Sequence, residues 1–109
     1  MKKVLVLGAS GYVGSQLLPL LLEQGYQVTA AARHIDYLSA RTTPHKNLEL
    51  IYLDLEDKAA TNDVVPNYDL IFFLVHGMAD GHDFIDYELT LANNFAAALG
   101  SKNKHVIYL

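Results

Sequence analysis

The sequence predicts an α/β fold, a doubly wound and mainly parallel five-stranded sheet. Three observations carry that expectation. Short apolar runs alternate with helical segments along all 109 residues, the pattern of strands joined by helical crossovers. The first run, Val4–Leu7, is continuously apolar rather than alternating, as in a strand covered on both faces. Glycine and polar residues gather where the runs end, at Gly8, Arg33, Asp54 and His76. Ligands of such sheets bind beyond the C-terminal ends of the strands.

Each element follows from local pattern. Val4–Leu7 is the first strand. From Gly11 to Gln24 the apolar positions Val13, Leu17, Leu18, Leu20, Leu21 and Leu22 make a strongly apolar helix, and Gly25 suits its C-terminal cap. Pro19 removes a donor inside that helix, so a kink or loosening near Ser15 is expected. Gln27–Ala32 reads as the second strand, Ile35–Ala40 as a short helix, and residues 41–45 as loop. Leu48–Leu53 is the third strand, Glu56–Val65 a weak helix, and Pro66-Asn67 a turn. Asp69–Val75 is the fourth strand, followed by a flexible loop from Gly77 to Gly81. Phe84–Leu99 is a long helix with Gly100 behind it, and His105–Leu109 is the fifth strand. There is no repeat, low-complexity tract or linker.

Composition narrows the classes. Hydrophobic residues make up 51% and charged residues 18%, enough apolar material for one ordinary core and too much for disorder. The net charge of −4 offers no basic face to nucleic acid. No apolar run approaches the ~18 residues of a membrane span. Met1-Lys2-Lys3 leads into too short an apolar run for a signal peptide. The absence of cysteine excludes disulfides, thiolate metal sites and a cysteine nucleophile, and suits a cytoplasmic protein.

The most informative motif is Gly8-Ala9-Ser10-Gly11-Tyr12-Val13-Gly14. It follows a predicted strand and opens a predicted helix, the context a dinucleotide-binding turn requires. Gly8 permits the tight turn, Gly11 lets the backbone approach a pyrophosphate, and Gly14 lets the helix pack close. The N–H groups and dipole at that helix end favour phosphate charge. A strand-to-helix turn with no ligand is the plainer alternative.

The spacing Gly-x-x-Gly-x-x-Gly resembles the extended and atypical branches of the short-chain dehydrogenase/reductase superfamily. It looks most like NmrA-like and nucleoside-diphosphate-sugar epimerase-like proteins. Ala-Ala-Arg-His, Asp-Leu-Glu-Asp, Phe-Leu-Val-His and Val-Ile-Tyr-Leu follow in the family's order, so the resemblance spans the whole chain. It implies a Rossmann-like sheet of order 3-2-1-4-5 and an NAD(P) cofactor. The loop Gly8, Ser10, Gly11, Tyr12, Val13 and Gly14 would cradle it.

The second strand ends at Arg33, with no acid at the position where an NAD site places one for the ribose 2′-OH. A guanidinium suits a 2′-phosphate, which favours NADP over NAD; an exposed, solvated arginine is the alternative. The resemblance gives Asp54 the adenine amino group and lets Leu55 line the adenine pocket. By chemistry alone Asp54 could equally cap the following helix. The edge Leu74-Val75-His76 would run past the cofactor ribose, where the family usually carries residues smaller than His76. Asn94 matches a family asparagine that braces the central strands, or else is an ordinary surface amide.

Other constellations fail on spacing. His76, Asp80, His82, Asp83 and Asp86 match no closed zinc pattern. No tyrosine has a lysine four residues on; Tyr37 with Arg41 is the nearest imitation. Ser10 lacks the Gly-x-Ser-x-Gly elbow, and no Gly-Lys-Ser/Thr loop is present. No residue is therefore assigned to catalysis or to a metal. The resemblance places a catalytic serine or threonine, the Tyr-x-x-x-Lys helix and the substrate-binding part after the fifth strand. The expectation is that residues 1–109 are the N-terminal part of a Rossmann domain, truncated after strand five and inactive alone. The parent protein would be a nucleoside-diphosphate-sugar epimerase or NAD(P)-dependent reductase, or else an NmrA-like redox sensor that binds a partner protein. An unpaired fifth strand invites self-association through its edge or through the Phe84–Leu99 helix.

Overall fold

The computed structural model describes residues 2–74, 84–100 and 105–108, with backbone alone at 84–88 and 108. Its strands are β1 (Lys3–Leu7), β2 (Gln27–Ala32), β3 (Leu48–Tyr52), β4 (Leu70–Phe73) and β5 (His105–Tyr108). They form one sheet in the order β3-β2-β1-β4-β5, and each adjacent pair is parallel. The expected order is the order found. Helices α1 (Tyr12–Glu23), α2 (Ile35–Ala40), α3 (Lys58–Val64) and α4 (Phe84–Leu99) supply the crossovers.

The period-two alternation of a strand divides the core between the two faces. Val4, Val6, Val28, Ala30, Ala32 and Phe72 pack against Leu18, Leu21 and Leu38 of α1 and α2. Leu5, Leu7, Ala31 and Ile71 pack against Val65 and the α4 residues Leu91, Phe95 and Ala98. Val4, Leu5, Val6, Val28 and Ile71 are completely buried, which is why these strands read as unbroken apolar runs. The rings of Phe73 and Phe95 meet at 4.7 Å and fasten α4 to β4.

Helix α1 runs unbroken through Pro19. Ser15 and Pro19 are both exposed, on the side of the helix where a carbonyl that lacks its donor can be hydrated. Its end is the predicted glycine cap. Gly25 has φ +87° and donates its N–H to the Leu22 carbonyl at 3.1 Å, while Tyr26 donates to Leu21 at 3.2 Å, the paired bonds of a Schellman motif.

The segment after β3 corrects the sequence reading. Helix α3 begins at Lys58, not Glu56, and its cap is Asp57, whose side chain accepts from the Ala60 N–H at 3.1 Å. Asp54 is not that cap. Its Oδ1 accepts from the Glu56 N–H at 2.9 Å, and its carbonyl accepts from the Asp57 N–H at 2.9 Å. This local turn consumes the residues that a longer helix would have used. Strands β3 and β4 are also shorter than expected, although Leu53 and Leu74 extend the ladders by donating to Ala32 at 3.1 Å and Leu7 at 2.9 Å.

Helix α1 seats on the turn before it through Gly14. A Cβ there would stand 2.4 Å from the Ala9 carbonyl oxygen and 2.8 Å from its Cα and C. All three are backbone atoms that cannot step aside. Gly14→Ala is therefore expected to cost about 1–3 kcal/mol, measured as a lower urea midpoint with an unchanged slope.

Candidate functional site

The C-terminal ends of β1, β2, β3 and β4 and the middle of α4 enclose a cleft of about 220 Å³. Its lining is assembled from four strand ends and one helix. Leu7, Gly8, Ser10 and Gly11 come from β1 and its turn, and Ala31, Ala32, Arg33 and His34 from β2. Leu53, Asp54 and Leu55 follow β3, Leu74 follows β4, and Leu91 reaches in from α4. The floor is apolar and buried, for Leu7, Ala31, Leu53, Leu55, Leu74 and Leu91 are all at most 5% exposed. The polar groups stand at the rim.

The turn is held to the sheet by one acceptor: the Ala31 carbonyl receives the N–H groups of both Gly8, at 3.2 Å, and Ala9, at 3.3 Å. Gly8 has φ +78°, a conformation that an L side chain adopts only at a cost of about 1–2 kcal/mol. Gly11 is different. Its φ of −79° is ordinary, and the nearest atom to a Cβ there would be the Gly8 carbonyl oxygen at 3.8 Å. Neither backbone conformation nor internal packing requires glycine at 11. It occupies the N-cap of α1 without a side-chain cap, and the first turn carries no acid. Ser, Thr, Asp or Asn at an N-cap is worth only about a few tenths of a kcal/mol over glycine, and the chain forgoes that cap where the helix end meets the cleft.

Of the residues predicted from sequence, Gly8, Ser10, Gly11, Arg33, Asp54, Leu55 and Leu74 line the cleft together. Gly14 stands behind it, buried against Ala9. Tyr12 and Val13 open α1 with 80% and 43% exposure and do not line the cleft. Val75 and His76 lie outside the described residues, as do Gly77–Gly81 and the side chains of the His76–Asp86 acid and histidine group. Tyr37 and Arg41 belong elsewhere. The Arg41 guanidinium sits 4.6 Å over the Tyr37 ring and donates to its hydroxyl, beside a second cavity between α1 and the loop after α2.

The rim is built by an ion pair and hydrogen bonds. Arg33 approaches Glu56 at 3.9 Å between Nη1 and Oε1. Asn94 of α4 donates from Nδ2 to the carbonyls of Leu55, at 2.7 Å, and Glu56, at 3.2 Å. Asn94 thus braces the loop after β3, not the central strands. His34, at the N-cap of α2, and Leu91, on α4, are lining residues that sequence reasoning missed. His34 adjoins Arg33 and was within reach of the strand-end argument. Leu91 carries no local signal, because only tertiary packing brings α4 to the rim.

A family model described as the NAD dependent epimerase/dehydratase family matches residues 4–105. Among solved structures, the Bordetella bronchiseptica enzyme WbmH in complex with NAD+ is 25% identical. The match covers 90% of this chain and 35% of that one, at a TM-score of 0.75. A Rossmann-fold NAD(P)-binding family protein from Shigella flexneri is also 25% identical, covering 97% and 50% at a TM-score of 0.73. A wide-type short-chain dehydrogenase/reductase from Veillonella parvula in complex with NADP shares the fold at 21% identity and a TM-score of 0.74, covering 98% and 46%. The chain thus spans between about a third and half of these relatives. Among the described residues no helix is long and apolar enough to cross a membrane.

The brace predicts a measurable cost. Asn94→Ala removes two donated bonds and is expected to lower stability by about 1–2 kcal/mol in urea unfolding. Asn94→Asp should cost at least as much, since a carboxylate would then face two carbonyl oxygens.

Proposed function

We propose, for a chain that belongs to the NAD-dependent epimerase/dehydratase family, that the cleft is the adenosine half of a nicotinamide dinucleotide site. The observation that carries this is Gly11. The protein's own packing leaves open the space that a side chain there would fill, and an incoming pyrophosphate accounts for it. The cofactor would supply hydride transfer. The chain's residues bind and orient it.

In this reading Gly8, Ser10 and Gly11 cradle the pyrophosphate, and the first-turn amides from Tyr12, Val13 and Gly14 turn the positive end of the α1 dipole toward it. Tyr12 and Val13 would contribute through the main chain, which agrees with their exposed side chains. Leu55 packs on the adenine, with the Asp54 carboxylate accepting from its amino group. Leu74 faces the ribose, and the resemblance assigns Val75 and His76, outside the described residues, to the same part of the cofactor. Arg33 recognises a 2′-phosphate, so NADP is the preferred cofactor and NAD the weaker one.

The reaction proposed for the whole protein is that of a nucleoside-diphosphate-sugar epimerase or an NAD(P)-dependent reductase, working in the cytoplasm. Its substrate-binding part and catalytic groups are assigned to sequence outside these 109 residues. By themselves the 109 residues would bind cofactor without turnover. They would also self-associate through the β5 edge or α4, which light scattering at increasing concentration would register as a mass above that of one chain.

The cofactor assignment is tested by calorimetric titration with NADPH and NADH. NADPH should bind more tightly. Arg33→Ala should weaken NADPH by about tenfold to a hundredfold, the scale of lost hydrogen bonds to a charged group, and leave NADH nearly unchanged. Equal or tighter NADH binding by the unaltered chain would overturn the NADP preference.

A further inference from the structure

We propose that Glu56 sets the cofactor selectivity of the cleft by competing, from within the protein, for the guanidinium that a 2′-phosphate would use. The proposal rests on the reading of the cleft as an adenosine site with Arg33 at its 2′ position.

Three observations lead to it. Arg33 directly follows β2 and Glu56 lies on the loop after neighbouring β3; they meet at 3.9 Å, each with its side chain 48% exposed. At that separation and exposure the pair is weak and readily opened, so Glu56 does not lock Arg33 away; it taxes each ligand that needs it. Second, the Glu56 main chain is fixed from both sides. Its N–H donates to Asp54 Oδ1 at 2.9 Å, and its carbonyl accepts from Asn94 Nδ2 at 3.2 Å. The carboxylate therefore cannot withdraw with the loop and must stay within side-chain reach of Arg33. Third, Asp54 adds another carboxylate to the same rim. A 2′-phosphate of nearly two negative charges thus meets a guanidinium for which a nearby glutamate carboxylate competes.

The consequence is a graded preference rather than a committed one. Arg33 pulls the site toward the phosphorylated cofactor. Glu56 pulls it back by holding the guanidinium and by placing a negative charge beside it. This differs from a site in which an acid or an arginine at the end of β2 decides alone. Here the deciding acid comes from the loop after β3, two residues beyond Asp54, and α4 positions it through Asn94.

The test measures dissociation constants for NADPH and NADH in the unaltered chain, Glu56→Gln, Arg33→Ala and the double variant. Thermal unfolding checks that the exposed substitutions leave the fold intact. Glu56→Gln should raise the ratio of the NADH to the NADPH dissociation constant by about threefold to tenfold, the scale of a released surface ion pair and its repulsion. The gain in NADPH affinity should shrink in the Arg33→Ala background, where only the carboxylate's direct repulsion of the phosphate is left to relieve. An unchanged or lower ratio in Glu56→Gln would overturn the proposal, and so would a gain that persists in full without Arg33. Failure of the unaltered chain to bind either dinucleotide would instead overturn the reading of the cleft itself, and the competition with it.

Discussion

The contact between Gly14 and the backbone of Ala9 is the constraint on which the rest of the site depends. It fixes how near α1 comes to the turn after β1, and so where the helix end stands relative to the strands. The same turn is tied to β2 through the Ala31 carbonyl. Two elements far apart in sequence are thereby locked around Gly8–Gly11. The apolar core on the α1 face, with Leu18 and Leu21 against Val4, Val28 and Ala30, can close only if the helix sits this low. Packing energy and site geometry therefore share one cause.

The polar rim has a different character. Its members are partly exposed, and each bond is individually modest. What gives the rim definite shape is shared attachment. Asp54 folds the chain back onto Glu56, Asp57 starts α3, and Asn94 reaches from α4 to hold the same loop. The buried contacts of Leu91 and Phe95 with the sheet keep α4 in place. A loop that would otherwise sample many conformations is thereby given one, at small enthalpic gain and with a low entropic cost left for a ligand.

Much of this was legible in the chain. Continuous apolar runs announced strands covered on both faces, and helical runs between them required a parallel sheet. The strand order followed from resemblance rather than periodicity. Seven of the twelve expected site residues line one cleft, because strand ends in a parallel sheet necessarily share an edge. The reading of the segment after β3 failed on a competition it did not weigh. Asp54 and Asp57 are both good helix starters, and the turn closed by Asp54 hands that role to Asp57. The proline argument was local: α1 continues through Pro19, and the exposed side of that turn lets water serve the carbonyl left without its donor.

The sequence by itself determined the layers, the glycine positions and the residues at the strand ends, since each follows from spacing and from the stereochemistry of single residues. Only the tertiary structure decided what those residues do to one another. It distinguished Gly8 and Gly14, demanded by conformation and packing, from Gly11, demanded by neither. It brought Asn94 and Leu91 across nearly forty positions of chain to the loop after β3, and set Glu56 against Arg33. Local pattern encodes the period of an element and the freedom of its backbone. It does not encode which distant side chain will arrive beside it, because that is fixed by how the closed core stacks one element upon another.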